Sequence, residues 1–353
     1  FDMVDHEILL NKVEALGVDK IIVEWLRSYL TNRSVFVTFN GEKSSAFSPT
    51  SGVPQGSVLG PLLFNIYIND LSEKLKCNFL LFADDLKIFV KVKSFSDIIK
   101  LQNDIDALYK WSVLNKLQLN IQKCNTIIYS NRMSHQHPLY FMNGSYLREL
   151  SEIKVLGVTF DSKLKFDRHI DQIVKKSYSM LGFIMRTTSN FNNHSCLQFL
   201  YNSLVRSRLE YNSFIWNPYQ LTYKLKIERV QRKYTRLLQF RLHQNSIPYN
   251  DRLIFFNMME LEKRREYFDS CMLHKVVHDH NSVTHSRPIF RVNHYSNRIN
   301  ATFNPKTSST DYGLHRNPIT RSQLLFNRKF NHINILDVNS DNFKRNIMVS
   351  LAG

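Results

Sequence analysis

The stretch Phe79-Leu80-Leu81-Phe82-Ala83-Asp84-Asp85-Leu86-Lys87-Ile88-Phe89 narrows the fold more than any other part of this chain. Two adjacent carboxylates interrupt an otherwise apolar run. Side chains alternate along a strand, so neighbouring acids share a side only where a turn presents both. The reading is strand, turn, strand, with Asp84 and Asp85 at the tip. Uncompensated acids beside apolar strands are costly, which makes a divalent cation an attractive partner for their oxygens. Taken alone, the pattern is more often that of a surface turn carrying two acids.

A second feature precedes it. Thr50-Ser51-Gly52-Val53-Pro54-Gln55-Gly56-Ser57-Val58-Leu59-Gly60 is a Gly/Pro-rich loop that runs into an apolar segment, Pro61 to Leu71, read as a buried helix. Small residues let a backbone approach a planar base pair closely, and the Gln55 amide supplies both a donor and an acceptor. An ordinary loop ahead of a helix would look similar.

Around these features the pattern is mixed α/β first and mostly helical afterwards. Asp5 to Leu16 reads as an amphipathic helix stopped by Gly17, and Asp19 as the cap of a second. Asn40-Gly41 between Val35–Phe39 and Glu42–Phe47 signals a hairpin, because both central turn positions need positive φ. Ser96 to Asn115 reads as a long helix, Thr126 to Tyr129 as a strand, and Phe141–Gly144 and Ile153–Phe160 as hairpins. Helical periodicity then covers 170–185, 196–209, 225–240 and 261–278, and weakens from about His285. His274 and His278 stand at i and i+4, but with no second cysteine nearby they read as a plain helix face.

Charge divides the chain. Residues 1–170 hold 20 Lys+Arg against 18 Asp+Glu, and residues 171–353 hold 27 against 12, so nearly all of the net +17 lies in the second half. A basic region joined to a nearly neutral one points to a polyanionic partner. The four cysteines are widely spaced and form no C-x-x-C pair, as expected of a reducing, intracellular setting. No signal peptide or membrane-spanning run is visible, so no membrane partner is expected. The first residue is Phe rather than Met, so the chain is expected to be excised from a longer one.

The loop at 50–60 followed by Phe82-Ala83-Asp84-Asp85 closely resembles motifs B and C of the reverse transcriptases of non-LTR (LINE-type, jockey-like) retrotransposons. Phe1-Asp2-Met3-Val4-Asp5-His6 resembles the end of their motif A. Trp111 and Leu117 to Asn125 resemble motif D, and Val155-Leu156-Gly157-Val158 resembles the primer-grip hairpin. Arg208-Leu209-Glu210-Tyr211, Trp216-Asn217-Pro218 and Ile227 to Arg232 also look jockey-like. The resemblance covers essentially the whole chain, loosely after about residue 250.

That resemblance implies an α+β fold: a right-hand polymerase palm of antiparallel sheet and helices over 1–165, a helical thumb over 166–245 and a basic C-terminal extension over 246–353, with the fingers missing. It implies RNA-directed DNA synthesis, in which a primer 3′-oxygen attacks the α-phosphate of a dNTP and pyrophosphate leaves. Two Mg²⁺ ions (or Mn²⁺) roughly 3.5–4 Å apart would stabilise the attacking and leaving oxygens. Asp84 and Asp85 would be metal ligands, and Lys123 a cation or acid at the pyrophosphate, although a solvated lysine is an equal reading. Phe1 would be the steric gate beneath the sugar. Gly52, Pro54, Gln55, Gly56 and Ala83 would face the template and incoming nucleotide, and Leu156 and Gly157 the primer. Arg206, Arg208, Arg229, Arg232, Lys233 and Arg236 would grip the template–primer backbone.

The first catalytic Asp of motif A would lie upstream of Phe1. The polypeptide alone is therefore expected to be inactive or nearly so, since a polymerase needs its whole constellation held in place. Asp2 and Asp5 align with structural acids near a helix start. The alternative is a relic or domesticated fold that binds nucleic acid without chemistry. An RNA-dependent RNA polymerase is disfavoured by Phe1 and by Ala83 rather than Gly before the acids. Nuclear and cytoplasmic location is implied by the resemblance; protein partners are not.

Overall fold

The structure, a computed structural model, describes residues 1–130, 137–191, 193–242, 245–278, 302–303, 317–336 and 339–352. The architecture is α+β, with many helices and small sheets. Two compact units divide the chain: Phe1–Ile128 with Arg132–Leu150, and Tyr129–Asn131 with Ser151–Gly353.

In the first unit, helix α1 (His6–Ala15) starts where the Asp5 carboxylate accepts the Ile8 N–H at 3.0 Å, and Gly17 (φ +79°) follows its end. Asp19 caps α2 (Lys20–Leu30) by accepting from the Ile21 N–H at 2.8 Å. Strands β1 (Thr38–Phe39) and β2 (Glu42–Lys43) meet through Asn40 and Gly41, both at positive φ, as the Asn-Gly signal predicts. The ladder is shorter than the sequence suggests, with one further bridge between Val35 and Phe47, and residues 34–48 are exposed. Among the described residues nothing packs over this hairpin to extend it, and an uncovered two-stranded ladder holds best beside its turn.

Helix α3 (Leu59–Ile68) begins slightly before the predicted Pro61 and passes into a 3-10 turn over Asn69–Glu73. Hairpin β3 (Asn78–Phe82) and β4 (Asp85–Phe89) follows, and then α4 (Phe95–Leu114), started by a Ser94–Asp97 capping box. Leu9, Leu10, Leu63, Phe64, Tyr67, Ile105 and Trp111 lie in one shared core. The buried Tyr67 hydroxyl ties α3 to α4 by donating to the Asn115 carbonyl at 2.6 Å. The expected strand at 126–129 shrinks to β5 (Asn125–Thr126), which runs parallel to β8 (Arg148–Glu149). Between them β6 (Phe141–Met142) and β7 (Ser145–Tyr146) form a hairpin through Asn143-Gly144, both at positive φ. In place of one antiparallel layer, the described residues form separate two-stranded ladders.

The second unit opens with hairpin β9 (Glu152–Val155) and β10 (Val158–Asp161). Asp161 then accepts the Phe166 N–H at 2.7 Å at the start of α5 (Asp167–Thr187). A helical run follows: α6 (His194–Tyr201), a π turn over Asn202–Arg206, α7 (Ser207–Glu210) and the short α8 (Ser213–Trp216). Helix α9 (Leu221–Arg241) buries Ile227, Val230, Tyr234 and Leu238, while α10 (Tyr249–Phe255) and α11 (Leu261–His278) follow it. The buried Glu228 carboxylate of α9 accepts the Leu261 N–H at 3.0 Å and so caps α11.

Beyond the weak periodicity lie two further helices, α12 (Pro318–Lys329) and α13 (Ser340–Ala352). They pack on α11 through a core of Leu273, Phe326, Phe343, Ile347 and Leu351. Ion pairs Arg321–Asp269 (3.1 Å) and Lys329–Glu266 (2.7 Å) tie α12 to the same helix. His274 is buried, its ring stacked 4.3 Å from Phe343, and the His278 ring bonds the Ile335 carbonyl at 2.7 Å. Both histidines therefore serve this packing.

Candidate functional site

The acidic turn sits as the alternation argument requires. Phe82 and Asp85 are the last paired residues of the β3–β4 ladder, and Ala83 and Asp84 form the two-residue link, with Ala83 at φ +50°. Both acids are exposed, so the desolvation cost invoked for a cation does not arise here. Asp85 is also compensated: Lys87 Nζ lies 2.7 Å from its Oδ2. Lys87 follows Asp85 by two positions on β4, so strand alternation puts both side chains on one face. That spacing is the sequence signal for the pair, and the reading of the acids as uncompensated missed it. Asp84 has no hydrogen-bond or ion-pair partner among the described residues, which leaves its oxygens free.

Phe1, Asp2 and the loop at 50–60 form one assembly. The Gly52 N–H donates to the Val4 carbonyl at 2.8 Å, the Val53 N–H to the Phe1 carbonyl at 3.1 Å, and the Ser51 hydroxyl to the Asp2 carbonyl at 2.9 Å. In return the Gly52 carbonyl accepts from His6 Nε2 at 2.9 Å and from Arg33 Nη2 at 3.1 Å. Gly52 adopts φ +86° and Gly56 φ +79°, a region open to Gly at little cost. The Gln55 amide donates to Asp2 Oδ1 at 2.7 Å, so Asp2 is the partner it holds. Pro54 is half-buried, and its carbonyl accepts from the Ser57 hydroxyl at 2.7 Å, which in turn accepts the Gly60 N–H at 2.9 Å and leads into α3. The Phe1 ring stacks on Phe64 of α3, with centroids 4.4 Å apart. Asp5, read from the sequence as a structural acid near a helix start, is the cap of α1, and the Lys116 ammonium at 2.6 Å holds its carboxyl below the ordinary range.

Lys123 ends a 3-10 turn over Ile121–Lys123 and is exposed, its ammonium without a partner among the described residues. Among the described residues no three His, Cys, Asp or Glu side chains gather into a metal-binding cluster. The four cysteines are free thiols.

In the second unit, Leu156 and Gly157 form the two-residue turn of the β9–β10 hairpin, at φ +44° and +87°. Arg229, Arg232, Lys233 and Arg236 project from α9 at i, i+3, i+4 and i+7, all exposed on the stripe opposite its buried face. Arg232 lies 4.6 Å from the centroid of the Tyr249 ring, and Lys233 lies 5.4 Å from that of Tyr178 on α5. Arg208 is exposed on α7. Arg206 is not on such a face: it is half-buried in the π turn, 3.9 Å from Glu210, and burial lowers the pKa of its guanidinium. Glu210 is also gripped by Arg264 of α11, so Arg206 belongs to an internal charge cluster. No helix among the described residues is long and apolar enough to cross a membrane.

Parts of this chain are similar to known proteins. Residues 1–160 match the family described as reverse transcriptase (RNA-dependent DNA polymerase). The RNA-directed DNA polymerase from mobile element jockey of Drosophila melanogaster is 30% identical over 247 residues, 67% of this chain and 27% of that protein. Its counterpart in Drosophila funebris is 28% identical over 248 residues, with the same shares. The Pol polyprotein of the type-1 retrotransposable element R2 of Popillia japonica is 26% identical over 182 residues, 46% of this chain and 29% of that protein. The chain thus spans just over a quarter of the length of these relatives.

Proposed function

Because this chain is homologous to the reverse transcriptases of non-LTR retrotransposons, we propose that it supplies one carboxylate hairpin, the nucleotide-facing loop and a nucleic-acid grip to an RNA-directed DNA polymerase. The observation that carries this reading is the Asp84-Asp85 turn: two carboxylates at the tip of a short hairpin, one of them free of any partner among the described residues. Their hard oxygen donors suit Mg²⁺, with Mn²⁺ as a substitute, and the Asp85–Lys87 pair would open as a cation binds. Bound there, the metal would stabilise charge on the attacking and leaving oxygens of nucleotidyl transfer. A further carboxylate, by the resemblance a motif A Asp, would complete the set.

Around that hairpin, Phe1 is read as the ring beneath the sugar, braced by Phe64. The backbone from Gly52 to Gly56, pinned to Asp2 and Val4, would face the template and incoming base. Lys123 would meet the departing pyrophosphate. Residues 1–165 are read as palm, 166–245 as thumb and 246–353 as C-terminal extension. The exposed stripe Arg229, Arg232, Lys233 and Arg236, with Arg208, would neutralise phosphates of an RNA–DNA duplex. Such an enzyme would work where element RNA meets chromosomal DNA, in the nucleus, after synthesis in the cytoplasm.

The test uses the full-length parent protein, an RNA template, an annealed DNA primer and Mg²⁺. Extension with dNTPs but not with NTPs is the expected result. Template–primer binding without extension would leave the non-catalytic, nucleic-acid-binding reading in its place.

A further inference from the structure

Leu156 occupies the left-handed region at φ +44°. A bulky residue there is strained and persists only where its surroundings hold it. What holds it comes from a distant part of the chain. The Tyr211 hydroxyl donates to the Leu156 carbonyl at 3.1 Å, and the Tyr211 ring lies close enough to Gly157 that a Cβ there would be 3.1 Å from its Cε1. Among the described residues this is the one hydrogen bond that reaches the turn from outside its hairpin.

We propose that Tyr211 is a positioning residue that fixes the Leu156-Gly157 tip against the primer terminus, an inference that rests on the polymerase reading above. Tyr211 is itself anchored. Its carbonyl accepts from the indole N–H of the buried Trp216 at 2.9 Å, and Trp216 packs edge-on against His169, with ring centroids 5.3 Å apart. His169 Nδ1 then accepts the Thr159 N–H at 3.3 Å, on the strand leaving the same turn. The contacts close a ring: tip, Tyr211, Trp216, His169, Thr159 and back to the hairpin. The tip is thus located from its end and from its base by one closed set of contacts.

Tyr211 and Leu156 remain 53% and 46% exposed, so neither contributes much to the core. An exposed ring laid across a strained, exposed turn is poorly placed to add stability. It is well placed to fix where the turn points, and a small misplacement of a primer end lowers the rate of the chemical step far more than it weakens binding.

The experiment uses the full-length parent enzyme with Tyr211→Phe, Tyr211→Ala and Gly157→Ala, alongside Asp84→Asn. Tyr211→Phe keeps the ring and removes the hydrogen bond, and Gly157→Ala pushes a methyl against the ring. The expected result is a fall in kcat of about threefold for Tyr211→Phe and about tenfold for Tyr211→Ala and Gly157→Ala. Primer–template Kd should hardly move in any variant and the thermal midpoint should hardly move in the Tyr211 variants, while Gly157→Ala, with a Cβ at φ +87°, should lose about 1 kcal/mol of stability. Unchanged kcat in all three variants would overturn the proposal, as would decreases that only track a fall in folded protein. Extension abolished by Asp84→Asn beside silent Tyr211 variants would defeat this inference alone. Absence of any extension by the unsubstituted protein would defeat the polymerase reading and this inference with it.

Discussion

Gly52 lies so close to Asp2 that a Cβ on the glycine would sit 2.8 Å from the Asp2 Cα and 2.9 Å from its carbonyl oxygen. Backbone is pressed on backbone at this point, so no side chain can swing aside. The close approach brings the Phe1–Asp2 segment onto the loop that Gln55 then fastens to the Asp2 carboxylate. Two segments far apart in the chain are held as one because residue 52 has no side chain.

Gly52→Ala should therefore destabilise the first unit by more than positive φ alone explains. The left-handed conformation costs about 1 kcal/mol for a residue with a Cβ, and the clash adds at least about 1–2 kcal/mol. Gly56→Ala is the control, since Gly56 has φ +79° but open space around it, and it should be destabilised by only about 1 kcal/mol. Urea unfolding of both variants checks this, and equal destabilisation would contradict it.

A second expectation concerns pH. Burial, with Lys154 and Lys176 nearby, pushes His169 down to about 4, so it is neutral in the fold and accepts the Thr159 N–H. Unfolded, the imidazole titrates near its ordinary value of about 6.5. Between those values the unfolded chain binds the extra proton, so stability rises with pH across this window and is lost as pH falls from about 6.5 towards 4. The decrease by pH 5 should be on the order of 2 kcal/mol. In His169→Asn, which keeps an acceptor without a titrating ring, the difference in stability between pH 7 and pH 5 should shrink by about that amount. Unfolding curves at the two pH values decide it, and an unchanged difference would refute the assignment.

The cationic stripe on α9 makes a salt-dependence prediction for the full chain. Replacing Arg229, Arg232, Lys233 and Arg236 together with Ala should reduce the slope of log Kobs against log salt by about 0.9 for each duplex phosphate left without its cation. Arg206→Ala should leave that slope unchanged, because its guanidinium faces Glu210. Fluorescence anisotropy from 50 to 200 mM salt, on the order that separates strong from weak counterion release, gives both slopes. Equal effects of the two changes would show that the stripe does not hold the duplex.

Phe1 stacks on Phe64, which fixes the plane of its ring. On the reading of Phe1 as the ring beneath the sugar, Phe1→Val in the full-length protein should ease the use of ribonucleotides by removing that bulk. The ratio of kcat/KM for rNTP over dNTP should rise at least about tenfold, the scale of a removed steric barrier. An unchanged ratio would remove the gate assignment.

Local patterns were legible from the residues themselves. Alternation around Asp84 and Asp85 gave the hairpin and its tip, Asn40-Gly41 gave its turn, Asp19 gave its helix cap, and Asp5 was placed near a helix start. What escaped depended on interactions between distant residues. Gln55 was read as supplying a donor and an acceptor, and in the structure one of its amide N–H groups donates to Asp2. Arg206 looked like one more cation, but a π turn inside the helical run leaves it half-buried against Glu210. The ring of contacts from Tyr211 to Thr159 joins residues more than fifty positions apart, and no local pattern announces it. The helices after residue 317 did carry a signal in Asn317-Pro318 and in Phe343, Ile347 and Leu351, a cap with Pro at N1 and an i, i+4, i+8 stripe. The polar composition around them masked it.

The most direct test of the central claim is primer extension on an RNA template by the full-length protein carrying Asp84→Asn, with Mg²⁺ and dNTPs. The substitution keeps the size of the side chain at an exposed turn, so folding and template–primer binding should be unaffected. If Asp84 holds the metal, extension should fall by about a thousandfold or more. Extension near the wild-type rate, with binding intact, would show that the Asp84-Asp85 turn is only a surface turn carrying two acids.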